Sequence, residues 1–297
     1  MISKLFKHAL LISLLGSASP LQAICTDADT CLWAPPPPPI SNDPYACNWP
    51  PPRSSEPYAC SWPAHFKEDV IRDFKTYFQK DNLYAFGAVF VGAAILANTG
   101  LDRTFRHLWQ EDFRSGDTDS FFDLPNRIGR IGYYFAPIYL GVLTLGYMRE
   151  ESYAGNVAYH WGYRGLRTIV LGGVQQLILA PLLGGGRPEE GDSHWAPFRH
   201  SASVSGHAFI GAIPFILTAQ MTDPPFFKGV LYVASTLPAL ARINFDKHYL
   251  SQVVLGWSLA FFSANAVYNA DVDHYSNLQF SAYPRGDGVM LHANWSF

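Results

Sequence analysis

The chain has 297 residues, a formal net charge of -3 at pH 7, 15% charged residues and 15% aromatics. This balance, with no basic run, argues against a nucleic-acid partner, while scarce charge and abundant aromatics indicate a membrane protein. The mean hydropathy of +0.02 is low for that class, and the polar N-terminal region and C-terminal tail account for it.

Residues 1–23 read as a secretory signal peptide. Lys4 and Lys7 form a basic start, Ala9 to Leu15 a short apolar core, and Ala23 is the last residue before cleavage. The core is too short to span a bilayer. An uncleaved anchor is the alternative, and a lipoprotein reading through Cys25 is weakened by the bulky Ile24 before it.

Residues 24–65 form an extracytoplasmic segment rich in Pro, Cys and Trp. It holds all 4 cysteines, Cys25, Cys31, Cys47 and Cys60. An even count in an exported segment suggests disulfides, with the connectivity open. Asp43 to Pro50 returns as Glu56 to Pro63, and Pro35 to Pro39 reads as polyproline II. A surface linker and a partner-binding segment are both open readings.

Residues 66–82 are charged and helix-compatible and are expected along the membrane surface. Six apolar segments follow, at 83–101, 131–148, 168–185, 205–221, 227–241 and 250–268. The first is a full bilayer span, since Asn82 to Leu101 carries no charge. The third carries Gln175 and Gln176 and the fifth is short, so these two are expected inside the bundle. In the tail, residues 271–297, alternating stretches flank the turn signal Pro284 to Gly288, which reads as a short β-hairpin. The expected fold is all-α, a transmembrane bundle of about six helices over residues 66–270.

Three clusters carry chemistry: Arg187-Pro188, Ser205-Gly206-His207, and Arg242 with His248. Arg offers a planar fork of donors matched to phosphate oxygens. His is the side chain suited to nucleophilic attack or proton donation near neutral pH. Ser205-Gly206 opens an apolar helix, whose free N–H groups and partial positive charge attract anions. Each cluster alone has a structural reading, Ser205 as a helix cap among them; order and spacing raise the signal.

In order and spacing the clusters resemble the type 2 phosphatidic acid phosphatase superfamily. It includes lipid phosphatases, class A acid phosphatases and vanadium haloperoxidases, and its pattern is Lys-x6-Arg-Pro, Pro-Ser-Gly-His, then Ser-Arg-x5-His-x3-Asp. The matching stretches are Ala180 to Pro188, Val204 to His207 and Ala241 to Gln252. Arg187, Ser205, Gly206, His207, Arg242 and His248 match. Ala180 stands for Lys, Val204 for Pro, Ala241 for Ser and Gln252 for Asp.

The resemblance implies a phosphoric monoester hydrolase. His248 attacks phosphorus to give a phosphohistidine and His207 protonates the leaving oxygen. Arg187, Ser205, Gly206 and Arg242 bind the phosphate, and Gln252 orients His248. Gln252 supplies no negative charge, so the imidazole is less basic than beside a carboxylate; Asp246 is a candidate second acid. Lys247 and Arg199 are candidate replacements for the cation missing at Ala180. No metal or cofactor is called for.

The expected substrate is a lipid phosphate or another phosphate ester, in a multi-pass cell-membrane protein exported through the secretory route. A periplasmic or outer-membrane-associated bundle is the alternative. Six full spans from an external residue 24 would set both catalytic loops on the cytoplasmic side, whereas the resemblance implies an outward-facing site. Two other functions stay open: a catalytically weakened lipid-phosphate binder, motivated by Ala180 and Gln252, and a vanadate-dependent haloperoxidase.

Overall fold

The computed structural model describes residues 65–149, 152–275, 279–285 and 288–294. The expected signal peptide, the Pro/Cys-rich segment up to residue 64 with its four cysteines, and the turn residues Gly286 and Asp287 lie outside the described residues.

Nine α-helices are described: α1 Phe66–Tyr77, α2 Lys80–Asn98, α3 Leu101–His107, α4 Gly116–Ile131, α5 Phe135–Tyr147, α6 Tyr153–Leu183, α7 Gly206–Gln220, α8 Pro225–Asn244 and α9 Leu250–Tyr275. A π-helical stretch, Leu108–Phe113, extends α3. Strands β1 (Gln279–Arg285) and β2 (Gly288–Asn294) pair antiparallel, with Tyr283 opposite Met290.

Local chemistry sets several boundaries. Ser115 caps α4 by accepting from the Thr118 N–H, and the Thr118 hydroxyl accepts in turn from the Ser115 N–H. Ser152 caps α6, accepting from the Gly155 N–H at 3.0 Å. α6 stops at Gly184, whose φ of 69° suits a residue without Cβ.

Among the described residues, four helices are long and apolar enough to cross a membrane: Lys80–Asn98, α6 with its extension, Pro225–Asn244 and α9. The bent pair α4–α5 would add a fifth. The expected bundle of about six helices thus has four or five candidate spans among the described residues. The 205–221 segment becomes α7, 15 residues long, roughly 22 Å against a hydrocarbon core of about 30 Å. α7 is the heart of the core instead. Phe209, Ala212, Ile213, Ile216 and Leu217 are all buried there, packing with Leu255, Leu259 and Ala260 of α9, while Ala208 packs with Ala239, Ile243 and Val253. The two segments expected inside the bundle, in α6 and α8, are both span-length.

α1, the segment expected along the membrane surface, packs one face against the bundle. It docks on the bundle through Asp73, which is fully buried. Asp73 accepts from Arg167 Nε at 2.8 Å and Nη2 at 2.5 Å. Asp271 of α9 takes the same Arg167 at 2.7 Å and Arg164 at 2.8 Å. Two guanidinium groups thus meet two carboxylates and the buried charges cancel.

Candidate active site

The three clusters meet at the other end of the bundle. The end of α6, the start of α7, the end of α8 and the start of α9 converge there, because α6 and α9 run antiparallel and α7 and α8 form an out-and-back pair. Gln252 and Asp271 are nineteen residues apart on α9, roughly 28 Å at 1.5 Å per residue. The site and the buried ion network are therefore separated by most of the bundle's length.

Ser205 caps α7, its Oγ accepting from the Ala208 N–H at 3.3 Å. Its own N–H donates to the Gln252 carbonyl at 3.0 Å, tying the second motif to the third. This approach requires Gly256: a Cβ there would lie 2.3 Å from the Ser205 carbonyl oxygen. His207 follows in the first turn of α7.

Arg242 sits in the last turn of α8, where its charge complements the helix dipole. It is 8% exposed, and Nη1 donates to Asn126 Oδ1 of α4 at 2.8 Å. The chain then turns sharply, with the N–H groups of Lys247 and His248 both donating to the Arg242 carbonyl.

His248 lies just before α9 and is buried, 6% exposed. Its Nδ1 is 2.8 Å from Gln252 Oε1. Gln252 Nε2 donates to the Gly186 carbonyl at 2.6 Å. The amide therefore presents its oxygen to the ring, so Nδ1 carries the proton and Nε2 has the free lone pair.

Burial, with the charges of Arg242 and Arg187 and with His207 nearby, lowers the His248 pKa to about 3, and the bond to Gln252 offsets only part of this. His207 is lowered to about 4, first by burial and then by Arg242, Arg187 and Arg130. Both imidazoles are neutral near pH 7 in the unliganded protein.

Arg187 is half-exposed at the opening. Its Nη1 lies 3.6 Å from Glu189, which also takes Lys247 at 3.4 Å. Ala180 is 3% exposed and packed in the apolar core. His200 pairs with Glu190 at 3.5 Å, and His194 is exposed.

Asp246 is not a second acid for His248. Arg106 holds it bidentately, at 2.6 and 2.5 Å, and its φ is 53°. Asp102, at the start of the same α3, accepts from the Ser251 N–H at 2.9 Å and the Ser251 hydroxyl at 2.5 Å. One turn beyond Arg106, Gln110 donates to the Ile243 carbonyl at 2.7 Å. A single helical face thus clamps the His248 loop on both sides. The sequence signal was present as polar residues at 102, 106 and 110, an i, i+4, i+8 stripe directly after an uncharged span. Asn126 carried no comparable signal, because its partner Arg242 lies 116 residues away.

No curated protein matches the chain. Among solved structures it is similar to the first transmembrane PAP2-type phosphatidylglycerolphosphate phosphatase from Bacillus subtilis. Identity is 16% over 71% of this chain and 95% of that one, with a TM-score of 0.39. Residues 166–275 match the family model of the PAP2 superfamily. All six motif residues that fit the family pattern fall inside that stretch.

Proposed function

We propose that this protein is a membrane phosphatase that hydrolyses phosphate monoesters or pyrophosphates of lipids through a phosphohistidine. The observation that carries the reading is the buried His248 held by Gln252 with Nε2 free, beside Arg242 and the N-terminus of α7. His248 Nε2 attacks phosphorus, the P–O ester bond breaks, and His207 gives its proton to the leaving oxygen. Water then attacks phosphorus as His207 takes its proton, the P–Nε2 bond breaks, and phosphate leaves with the His248 lone pair restored. Arg187, Arg242, the Ser205 side chain and the Gly206 N–H hold the equatorial oxygens, where charge develops.

His207 must be protonated before the first step, and in the free protein it is not near pH 7. A bound phosphate dianion among the arginines raises its pKa, so substrate itself recruits the acid. The proposed organisation is a cleaved signal (1–23), an extracytoplasmic segment (24–65), the phosphatase bundle (66–270) and a hairpin tail (271–297). Export through the secretory route to the cell membrane belongs to the same reading.

A second reading, a lipid-phosphate binder without turnover, is favoured by the neutral Gln252 and by the apolar burial of Ala180. Phosphate release from short-chain phosphatidic acid by detergent-purified protein, beside His248→Ala, separates the two. Release by the parent alone supports the hydrolase. Binding without release in the folded parent makes the binder correct.

A further inference from the structure

We propose that Arg130 of α4 supplies the phosphate-binding cation that the PAP2 pattern places at Ala180. The inference deepens the phosphatase reading and rests on it for the identity of the ligand.

Position 180 cannot serve. It is 3% exposed and sits in the main apolar cluster with Leu183, Val204 and Phe209. A lysine there would bury an ammonium among apolar side chains. The phosphate cage therefore lacks a charge unless another element delivers it.

α4 reaches the site from outside the three motifs. Its backbone crosses α7 closely: a Cβ on Gly211 would lie 3.1 Å from the Gly129 Cα. A Cβ on Gly129 would lie 3.3 Å from the His207 carbonyl oxygen and 3.5 Å from the His207 Cβ. Only small residues permit this contact, and it sets Arg130 beside the first turn of α7. One turn earlier, on the same face of α4, Asn126 holds Arg242. Residues 126 and 130 thus address the two catalytic motifs together.

Arg130 is also available. It makes no hydrogen bond or ion pair among the described residues and is exposed. Its neighbour Arg127 pairs with Asp123 at 2.9 Å, and Lys247 is held by Glu189. The Arg130 charge is felt at His207, where it is one of three guanidinium groups lowering the imidazole pKa.

The test compares the full-length parent with Arg130→Ala, Arg130→Lys, Arg127→Ala and Lys247→Ala in detergent. Inorganic phosphate binding is measured by calorimetry, and turnover of short-chain phosphatidic acid in parallel. Circular dichroism checks the fold. Loss of one charge-assisted contact predicts phosphate binding weakened roughly ten- to a hundredfold in Arg130→Ala. Arg130→Lys recovers part of it and Arg127→Ala matches the parent. A folded Arg130→Ala that binds phosphate like the parent overturns the proposal, as does a loss confined to Lys247→Ala. A parent that binds phosphate without turnover removes the hydrolase reading but leaves the Arg130 comparison decisive. A folded parent that binds no phosphate overturns both.

Discussion

Gln252 and Gly186 are joined by a 2.6 Å hydrogen bond from the amide nitrogen to the backbone carbonyl. Gly186 immediately precedes Arg187, so this bond ties the partner of His248, the proposed nucleophile, to the first motif. A carboxylate at position 252 could not donate it. Gln252→Ala breaks both this contact and the one to His248. Its kcat is expected to fall roughly 10- to 100-fold, as when a group that orients an active-site histidine is lost. Steady-state kinetics with a short-chain lipid phosphate checks this, and an unchanged kcat removes Gln252 from the mechanism.

Gln252→Asp restores the family residue, yet it is expected to destabilise the protein. The Gly186 carbonyl loses its donor and faces an acidic group, a cost of about 1–3 kcal/mol. The same change raises the His248 pKa, because a carboxylate favours the imidazolium. Thermal denaturation and 15N chemical shifts of labelled histidine across pH report the two effects separately. A stabilised variant would show that the Gly186 bond contributes little.

The clamp on the His248 loop makes a distinct prediction. Arg106→Ala frees Asp246 from its bidentate partner and lets the loop relax from a φ of 53°. Because His248 moves while the arginines stay, kcat is expected to fall roughly tenfold with KM little altered. Asp246→Gly in the same background accommodates the positive φ and recovers part of the loss. Equal effects on kcat and KM, without recovery, would place Arg106 in general stability alone.

The two site histidines dictate an acid-sensitive fold. Their folded pKa values, about 3 for His248 and about 4 for His207, lie below the ordinary value near 6.5. The unfolded chain binds more protons on acidification, so stability present above about pH 6.5 is lost as pH falls toward those values. The slope is about 1.4 kcal/mol per pH unit for each histidine. Thermal midpoints at about pH 7 and pH 5 should therefore drop more in the parent than in His248→Gln. Identical drops would mean that His248 is not held neutral by burial.

The ion network at the far end separates stability from chemistry. Asp73→Ala leaves Arg167, 1% exposed on its side chain, with one carboxylate fewer. Breaking such a buried pair costs about 3–5 kcal/mol. Because the network lies most of a helix length from His248, kcat per folded molecule should stay at the parent value. Denaturation midpoints and active-site titration measure the two quantities, and a matching fall in kcat would show that the two ends are coupled.

The sequence by itself determined the helical class, the apolar segments and the six motif residues. The signals for these are local: runs of apolar residues, and short motifs in which neighbouring positions share one turn. The i, i+4 spacing of His248 and Gln252 was enough to put them on one face. Only the tertiary structure decided which apolar segment is core. The 205–221 segment differs little from a span in composition, but α8, α9 and other helices surround α7 and bury it. The fate of Asp246 was hidden for the same reason, since Arg106 lies 140 residues away. So was the approach of α4, with Asn126 on Arg242 and Gly129 against His207. Contacts between distant parts of the chain arise when helices pack, and no short-range pattern encodes them.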